Sequence, residues 1–343
     1  MHKPPAAMKS LYDRLKSHGL DRKYIHAAAL PDWWDDSLSS NDSNRLMAEM
    51  SIARFLGISL KQLHASNAGE LPVGLGVRLK RNKNLEISDV TGSIAAASHA
   101  ARITAKLLED RLPFTGRRHA LEVRNQLLSR PECTWPDLAS LVNYCWEHGI
   151  AVVHVTALPS ASKSIDGLAT FIGERPVIVL TSGRDSPAWL AFYLAHELGH
   201  IMCGHVKPGD GALVDIKLDS ANDELQEQEA DQYAFQVLTG EPKLELSGGT
   251  GMRAAAFAQA AREFGAKHRI HPGTVALIYG YSQSRIPLAQ AALKEMGENQ
   301  GARAILASAY RKHVPLDDIP DAFQQSLSAM TQVFGLTSAI ESA

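Results

Sequence analysis

Residues 150–203 change from short β-branched runs to one long helical segment, and this change limits the folds open to the chain. The three runs are "IAVVHVTAL" (150–158), "GLATFI" (167–172) and "PVIVL" (176–180). Short apolar runs of this kind are typical of buried strands. Ser186 and Pro187 then favour a helix start, because serine suits the N-cap and proline the first helical position. We predict a small sheet followed directly by a helix from Pro187 to about Cys203.

The remainder of the chain has the periodicity of helices. Helices are predicted at 90–111, 118–130, 136–148 and 221–239, and through much of 8–65 and 252–343. We therefore expect an α+β fold that is mainly helical, with a small β-sheet packed on the helix that ends near Cys203. A chain of 343 residues is long for one domain. We predict a helical N-terminal domain at 1–115, a central domain at 116–240 and a C-terminal helical region at 241–343.

The N-terminal region contains a candidate helix-turn-helix in "NRLMAEMSIARFLGISLKQLHA" (44–65). Ala53 allows close helix contact, Gly57 makes the turn and Leu63 packs the second helix. A plain helical hairpin has the same pattern, so both interpretations stay open. The segment that follows, 64–76, is predicted to be a loop.

Charge is distributed unevenly along the chain. Residues 1–130 carry 20 Lys and Arg against 13 Asp and Glu, and the other 213 residues carry 15 against 24. A basic front and an acidic rear suggest different partners, with DNA as a candidate partner of the N-terminal domain. The alternative is that these charges only solvate helix surfaces.

Several features favour a cytoplasmic protein. The sequence has no run of 18 uninterrupted apolar residues and no apolar signal-peptide region near its N-terminus. Its three cysteines are an odd number without paired spacing, which suits a reducing compartment. We therefore expect a cytoplasmic location and no membrane partner.

Residues 196–200 read H-E-L-G-H within the predicted helix. Positions i and i+4 share a helix face, so His196 and His200 can bind one ion while Glu197 faces a water on it. A catalytic zinc site needs three protein ligands and one open position. The alternative is a pair of hydrogen-bonded core histidines, and a third ligand would decide between the two.

The third ligand is predicted on the helix at 221–239. A third histidine six residues after His200, with a glycine between, is excluded because position 206 is valine. The helix offers three glutamates, Glu224, Glu227 and Glu229. At about 100° per residue, Glu227 lies roughly 50° from the centre of the apolar face and Glu229 roughly 110° from it, toward solvent. We select Glu227, with Asp231 one turn later to accept the ring N–H of a ligand histidine, His196 in preference to His200.

Other polar residues near the motif receive less specific predictions. Tyr193, one turn before His196, is a candidate donor to the transition state; three alternatives are Tyr233, His268 and His271. His205 is expected to cap the end of the helix. Glu224 and Glu229 are expected to be solvated. One edge of the 167–180 hairpin is a candidate site where substrate adds as a strand.

The motif and the helix after it together resemble a known family. H-E-L-G-H (196–200), the Ser-Pro-Ala-Trp start of that helix and a downstream E-x-E-A-D-x-Y-A-F (227–235) are similar to the ImmA/IrrE-type metallopeptidases. The resemblance is specific over about 150–240 and weaker over 1–130. It implies a zincin-like domain in which His196, His200 and Glu227 bind zinc and Glu197 is the general base. Tyr233 stands where family members often have phenylalanine.

The resemblance implies a zinc-dependent endopeptidase that cleaves a protein regulator, repressor- or antitoxin-like, and so switches gene expression. One zinc ion per chain is expected, with Glu197 accepting a proton from the attacking water. Two alternatives stay open: a non-catalytic, metal-containing DNA-binding regulator, and a toxin–antitoxin interaction module. An intact general base favours the enzyme, because a purely structural zinc has no use for Glu197.

Overall fold

Helices make up most of the computed structural model, which describes residues 6–64, 87–109, 111, 113–160, 162, 165–209, 221–246, 251–317 and 319–334. The helices are α1 (Ala6–Ser17), α2 (Arg22–Ala28), α3 (Asp42–Leu56), α4 (Leu60–His64), α5 (Ile87–Leu107), α6 (Ala120–Leu128), α7 (Leu138–Glu147), α8 (Pro187–Cys203), α9 (Ala221–Thr239), α10 (Ala254–His268), α11 (Pro272–Ser282), α12 (Ile286–Met296), α13 (Ala302–His313) and α14 (Asp321–Met330). A short 3-10 helix spans Asp36–Ser40, and the strands are β1 (Ala151–His154), β2 (Gly167–Ile172) and β3 (Arg175–Leu180). The fold is α+β and mainly helical, as predicted.

The three strands form one sheet in the order β1-β3-β2. β1 pairs with β3 in parallel, and β2 pairs with β3 antiparallel, with Gly167 opposite Leu180. β3 is the central strand, and all of its residues after Arg175 are buried. This arrangement places β2 at one edge of the sheet.

β1 is shorter than the predicted run of 150–158. The strand ends at His154, and the backbone N–H groups of Thr156 and Ala157 instead donate to the carbonyl of Met330, at the end of α14. The apolar pattern over 150–158 is therefore divided between a strand and a contact with a distant helix.

α8 is the predicted histidine helix, and it has the predicted bounds. Ser186 occupies the N-cap position with Pro187 after it, and Gly204 ends the helix in the left-handed conformation at φ 82°. Nearly every side chain of α8 is buried, because the sheet covers one side and α9 another. The H-E-L-G-H motif therefore lies on a buried helix.

α9 approaches α8 closely at one pair of small residues. A Cβ atom added at Gly199 would lie 3.0 Å from the backbone of Ala230. The absence of a side chain at Gly199 thus lets the two helices touch one turn along α9 from Glu227. This contact determines how far Glu227 lies from the histidines.

The flanking helices share the core of the central region. α14 packs on α2 and α5, and the hydroxyl of Ser326 donates to the carbonyl of Ala28 at 2.8 Å. α13 packs on α7 and β1. One apolar cluster runs from Met8 to Val333 through the sheet and α8. The division into three domains stays a prediction.

The candidate helix-turn-helix is a short helical hairpin as far as it is described. Ala53 and Leu63 are buried, and Gly57 ends α3 at φ 72°. The predicted loop at 64–76 lies outside the described residues after His64. This geometry fits both interpretations of the segment, so DNA binding stays a prediction.

In the part of the chain that the structure describes, no helix has the length and apolar character needed to cross a membrane.

Candidate metal centre

His196, His200 and Glu227 converge on one point between α8 and α9. The Nε2 atoms of the two histidines are 3.1 Å apart. The carboxylate of Glu227 lies 3.4 Å from each of them, with Oε2 facing His196 and Oε1 facing His200. Two imidazoles and a carboxylate are the donor set of many catalytic zinc sites.

The spacing of these donor atoms fits one metal ion. Zinc ligands at about 2.0–2.1 Å in a tetrahedron lie about 3.3 Å from one another. The two Nε2 atoms, 3.1 Å apart, are close to that edge length, and each of them lies 3.4 Å from a different oxygen of the Glu227 carboxylate. Within the described ranges, no other group of three or more His, Cys, Asp or Glu side chains could hold a metal ion. The residues present therefore fit the implied ion.

The charge state of Glu227 suits a metal ligand. Burial favours its neutral form and by itself raises its pKa, but hydrogen bonds and attraction from His196 and His200 outweigh burial and lower the pKa to about 2. Glu227 is thus an anion at neutral pH, as a metal ligand must be.

The side chain of Glu197, on α8, lies beside the first residue of the edge strand β2. This side chain is buried at 3% exposure, and its Oε1 would lie 3.0 Å from a Cβ atom added at Gly167, the first residue of β2. The missing side chain at Gly167 leaves room for this carboxylate. The arrangement brings the candidate base beside the strand where a peptide could add.

Asp231 contacts the ring nitrogen of His196 that faces away from Glu227. Its Oδ1 is 2.8 Å from Nδ1 of that ring, while Nε2 of the same ring faces Glu227. Asp231 is one turn after Glu227 on α9, so the same helix phase brings both carboxylates to His196. A carboxylate in this position fixes the tautomer of a ligand imidazole.

His205 differs from the prediction made for it, while Glu229 is exposed as predicted but also contacts His205. The ring of His205 is buried with its Nδ1 3.0 Å from Nδ1 of His200, instead of capping the helix end with its side chain. Glu229 is about half exposed, yet its Oε2 lies 2.8 Å from Nε2 of His205. The helix phase correctly predicted that Glu229 faces away from the two histidines. It could not predict that the chain after α8 folds back and brings His205 to Glu229.

A protein-family comparison covers this part of the chain. The family model Peptidase_M78, described as the IrrE N-terminal-like domain, matches residues 148–267, a little over a third of the chain. Residues 148–267 are similar to the IrrE N-terminal-like domain. The match includes the sheet, α8, α9 and most of α10, and it confirms the family resemblance. Comparisons with curated proteins and with solved structures gave no match. The family implies a metallopeptidase-type function.

Tyr193 is buried on α8 and stacks on Trp189 with ring centroids 6.0 Å apart. Burial raises its pKa to about 12, with Asp166 adding to the rise and Arg184 opposing it. The structure thus places Tyr193 in a cluster with Trp189 and Arg184. Its role as a donor to the transition state stays a prediction.

Two of the three alternative donors make other hydrogen bonds, and the third is exposed at a helix end. Tyr233 donates its hydroxyl to the carbonyl of Arg118 at 3.1 Å. His271 caps α11, where its Nδ1 accepts from the N–H of Gly273, and His268 is exposed at the end of α10.

Tyr281 is a residue of this cluster that sequence reasoning missed. The residue is 61% exposed, and its ring packs edge-on against Trp189. Burial raises its pKa, and the charges acting on it include Arg184, Asp166 and Asp231. Tyr281 is on α11, outside the family match, and "YGYSQS" has no pattern that indicates a site.

Proposed function

We propose that the chain is a zinc-dependent endopeptidase in which His196, His200 and Glu227 hold one zinc ion. The observation that supports this most directly is the convergence of two imidazole nitrogens and one carboxylate, each pair of groups 3.1–3.4 Å apart, on two packed helices. Glu197 is the general base. Its side chain is buried at 3% exposure, and burial of a carboxylate costs free energy. A purely structural metal site gives no reason for a buried carboxylate at this position.

Zinc, when bound, lowers the pKa of its water ligand to about 7 and polarises a carbonyl oxygen. Glu197 accepts the proton of the attacking water and later transfers it to the leaving amine. His196, His200 and Glu227 keep the ion in place, and Asp231 orients His196.

The substrate is proposed to bind as an added strand along β2. Among the described strands, β2 pairs only with β3, and its first residue is beside Glu197. A peptide that extends the sheet at this edge would gain main-chain hydrogen bonds and pass the candidate base. Recognition of this kind requires an extended segment of a protein substrate.

The partner is proposed to be a repressor- or antitoxin-like regulator in the cytoplasm, cleaved to switch gene expression. This part of the proposal rests on the family of residues 148–267. The basic residues of 1–130 and the α3–α4 hairpin support the second candidate, a DNA-binding regulator that keeps the metal without catalysis. That candidate requires duplex DNA binding that weakens steeply as salt rises.

Glu197→Gln tests the enzyme directly, because the amide keeps the shape of the side chain but cannot act as a base. We expect one zinc per chain by metal analysis, unchanged folding, and cleavage of the partner slower by about 10²–10⁴-fold. The inactive variant should retain its partner in a pull-down, where mass spectrometry can identify it.

Glu263→Gln is the matched control, since it makes the same change at an exposed position of α10. It should cleave like the wild type. Unchanged cleavage by Glu197→Gln would show that Glu197 is not the base.

A further inference from the structure

We propose that His205 and Glu229 are positioning residues that orient the ligand His200 through a two-step hydrogen-bonded relay. Glu229 holds His205 at 2.8 Å, and His205 holds His200 at 3.0 Å. This inference rests on the proposed metal site and adds two residues to it.

The end of α8 explains why His205 meets His200. Gly204 is left-handed, the N–H of His205 donates to the carbonyl of His200 at 2.9 Å, and the N–H of Gly204 donates to Ile201. This is the Schellman arrangement, which brings the side chain two positions after the helix against the side chain one turn before its end. That contact is frequently between two apolar residues. Here it joins two imidazoles.

With a metal bound at Nε2 of His200, one assignment of ring protons satisfies both the contact of His200 with His205 and that of His205 with Glu229. Nε2 of His200 faces Nε2 of His196 and the carboxylate of Glu227, so binding a metal there requires its lone pair. The proton of His200 is then on Nδ1 and donates to Nδ1 of His205. The remaining proton of His205 is on Nε2, where it donates to Glu229. The carboxylate therefore selects the tautomer of His205, which in turn selects that of His200.

The two ligand histidines are consequently held by different means. His196 contacts the carboxylate of Asp231 directly, while His200 reaches the carboxylate of Glu229 through a second imidazole. Both carboxylates come from α9, four residues or fewer from Glu227. Because an imidazole stands between, removal of Glu229 should affect the metal less than removal of His205.

The full-length wild-type protein provides a direct test that needs no substitution. Nitrogen-15 NMR of the zinc-loaded protein distinguishes the two tautomers of each histidine. The relay requires His205 to carry its proton on Nε2 and His200 on Nδ1. Observation of His205 with its proton on Nδ1 would overturn the proposal.

Zinc affinity, measured by competition with a chelator, tests the same relay through variants. His205→Phe removes the acceptor but keeps a ring, and we expect about 10–100-fold weaker zinc binding. His205→Asn places an amide oxygen near the position of Nδ1 and should recover most of that loss. Glu229→Ala should weaken zinc binding by a smaller factor, and Glu241→Ala, which removes an exposed carboxylate two residues after the end of α9, should have no effect.

Two outcomes separate this proposal from the metal site itself. If wild type binds zinc and Glu227→Ala does not, while His205→Phe binds with wild-type affinity, the relay is wrong and the metal site stands. If the wild type binds no zinc, both the relay and the proposed function are wrong. Circular dichroism of each metal-free variant shows whether the fold is intact, and the NMR assignment decides the question if His205→Phe unfolds.

Discussion

At the residue scale, the contact between Asp231 and His196 is the simplest one at the candidate metal centre to alter by substitution. Its Oδ1 is 2.8 Å from Nδ1 of His196, and its side chain is 40% exposed. A partly exposed residue can be replaced with little cost to the core. Changes in metal binding at this position therefore report on the orientation of His196.

Asp231→Ala should fold normally, bind zinc about 10–100-fold more weakly and cleave more slowly, because the ring of His196 loses its acceptor. Asp231→Asn should be milder, since the amide oxygen still accepts the same hydrogen bond. Gln232→Ala, at the next and exposed position of α9, is the control. Chelator competition measures the affinities. Wild-type affinity in both Asp231 variants would mean that Asp231 is only a helix-surface residue.

At the element scale, the contact between α8 and α9 determines whether the ligands meet. Both helices were predicted with the bounds that the structure has, because the N-cap, the proline and the terminal glycines are local signals. Their separation at Gly199 and Ala230 has no such local signal, although small residues on α8 favour close packing.

Gly199→Ala should destabilise the fold and weaken zinc binding together. Alanine gains about 1 kcal/mol of helix propensity over glycine. Its Cβ, however, would lie 3.0 Å from the backbone of Ala230, which cannot move aside as a flexible side chain can. Overpacking of this kind costs about 1–3 kcal/mol and pushes α9, with Glu227, away from the histidines.

Gly183→Ala is the control for this prediction, because nothing lies within 4 Å of its added Cβ atom. Denaturant unfolding of the metal-free proteins and zinc titration measure the two effects. A stable Gly199→Ala variant with unchanged zinc affinity would show that the helices tolerate a wider separation.

At the scale of the whole molecule, His99 joins segments that are distant in sequence. It is buried on α5, with its ring 4.9 Å from that of Phe55 on α3 and its Nε2 3.3 Å from Ser326 on α14. Burial, together with the positive charges of Arg102 and Arg54, lowers its pKa to about 3. The native protein therefore keeps His99 neutral at pH values where the unfolded chain protonates it.

Stability should fall as the pH drops below about 6.5. In that range the unfolded state binds one more proton at His99 than the native state, so this group removes about 1.4 kcal/mol of unfolding free energy per pH unit. Between pH 7 and pH 5 the loss from His99 is about 2 kcal/mol. His99→Gln should flatten the dependence by that amount, as measured by denaturant unfolding at each pH. Equal slopes for the two proteins would contradict the buried neutral state.

The sequence by itself determined what local geometry controls. The i, i+4 spacing brings His196 and His200 to one face, the phase of α9 selects Glu227 over Glu229, and the same phase carries Asp231 to His196. The structure brings these side chains together, while their roles toward a metal stay predictions. The Schellman signal at Gly204 could have indicated His205, because it too depends on a few adjacent residues.

Only the tertiary structure decided which distant segments meet. The pairing of residues 156–157 with Met330, the contact of Glu229 with His205 and the place of Tyr281 beside Trp189 all join separate elements. Periodicity identifies the buried face of a helix but not the element that covers it, since many partners bury the same apolar area equally well. The backbone and side-chain packing of the whole chain selects among them, and thereby completes the surroundings of the candidate site.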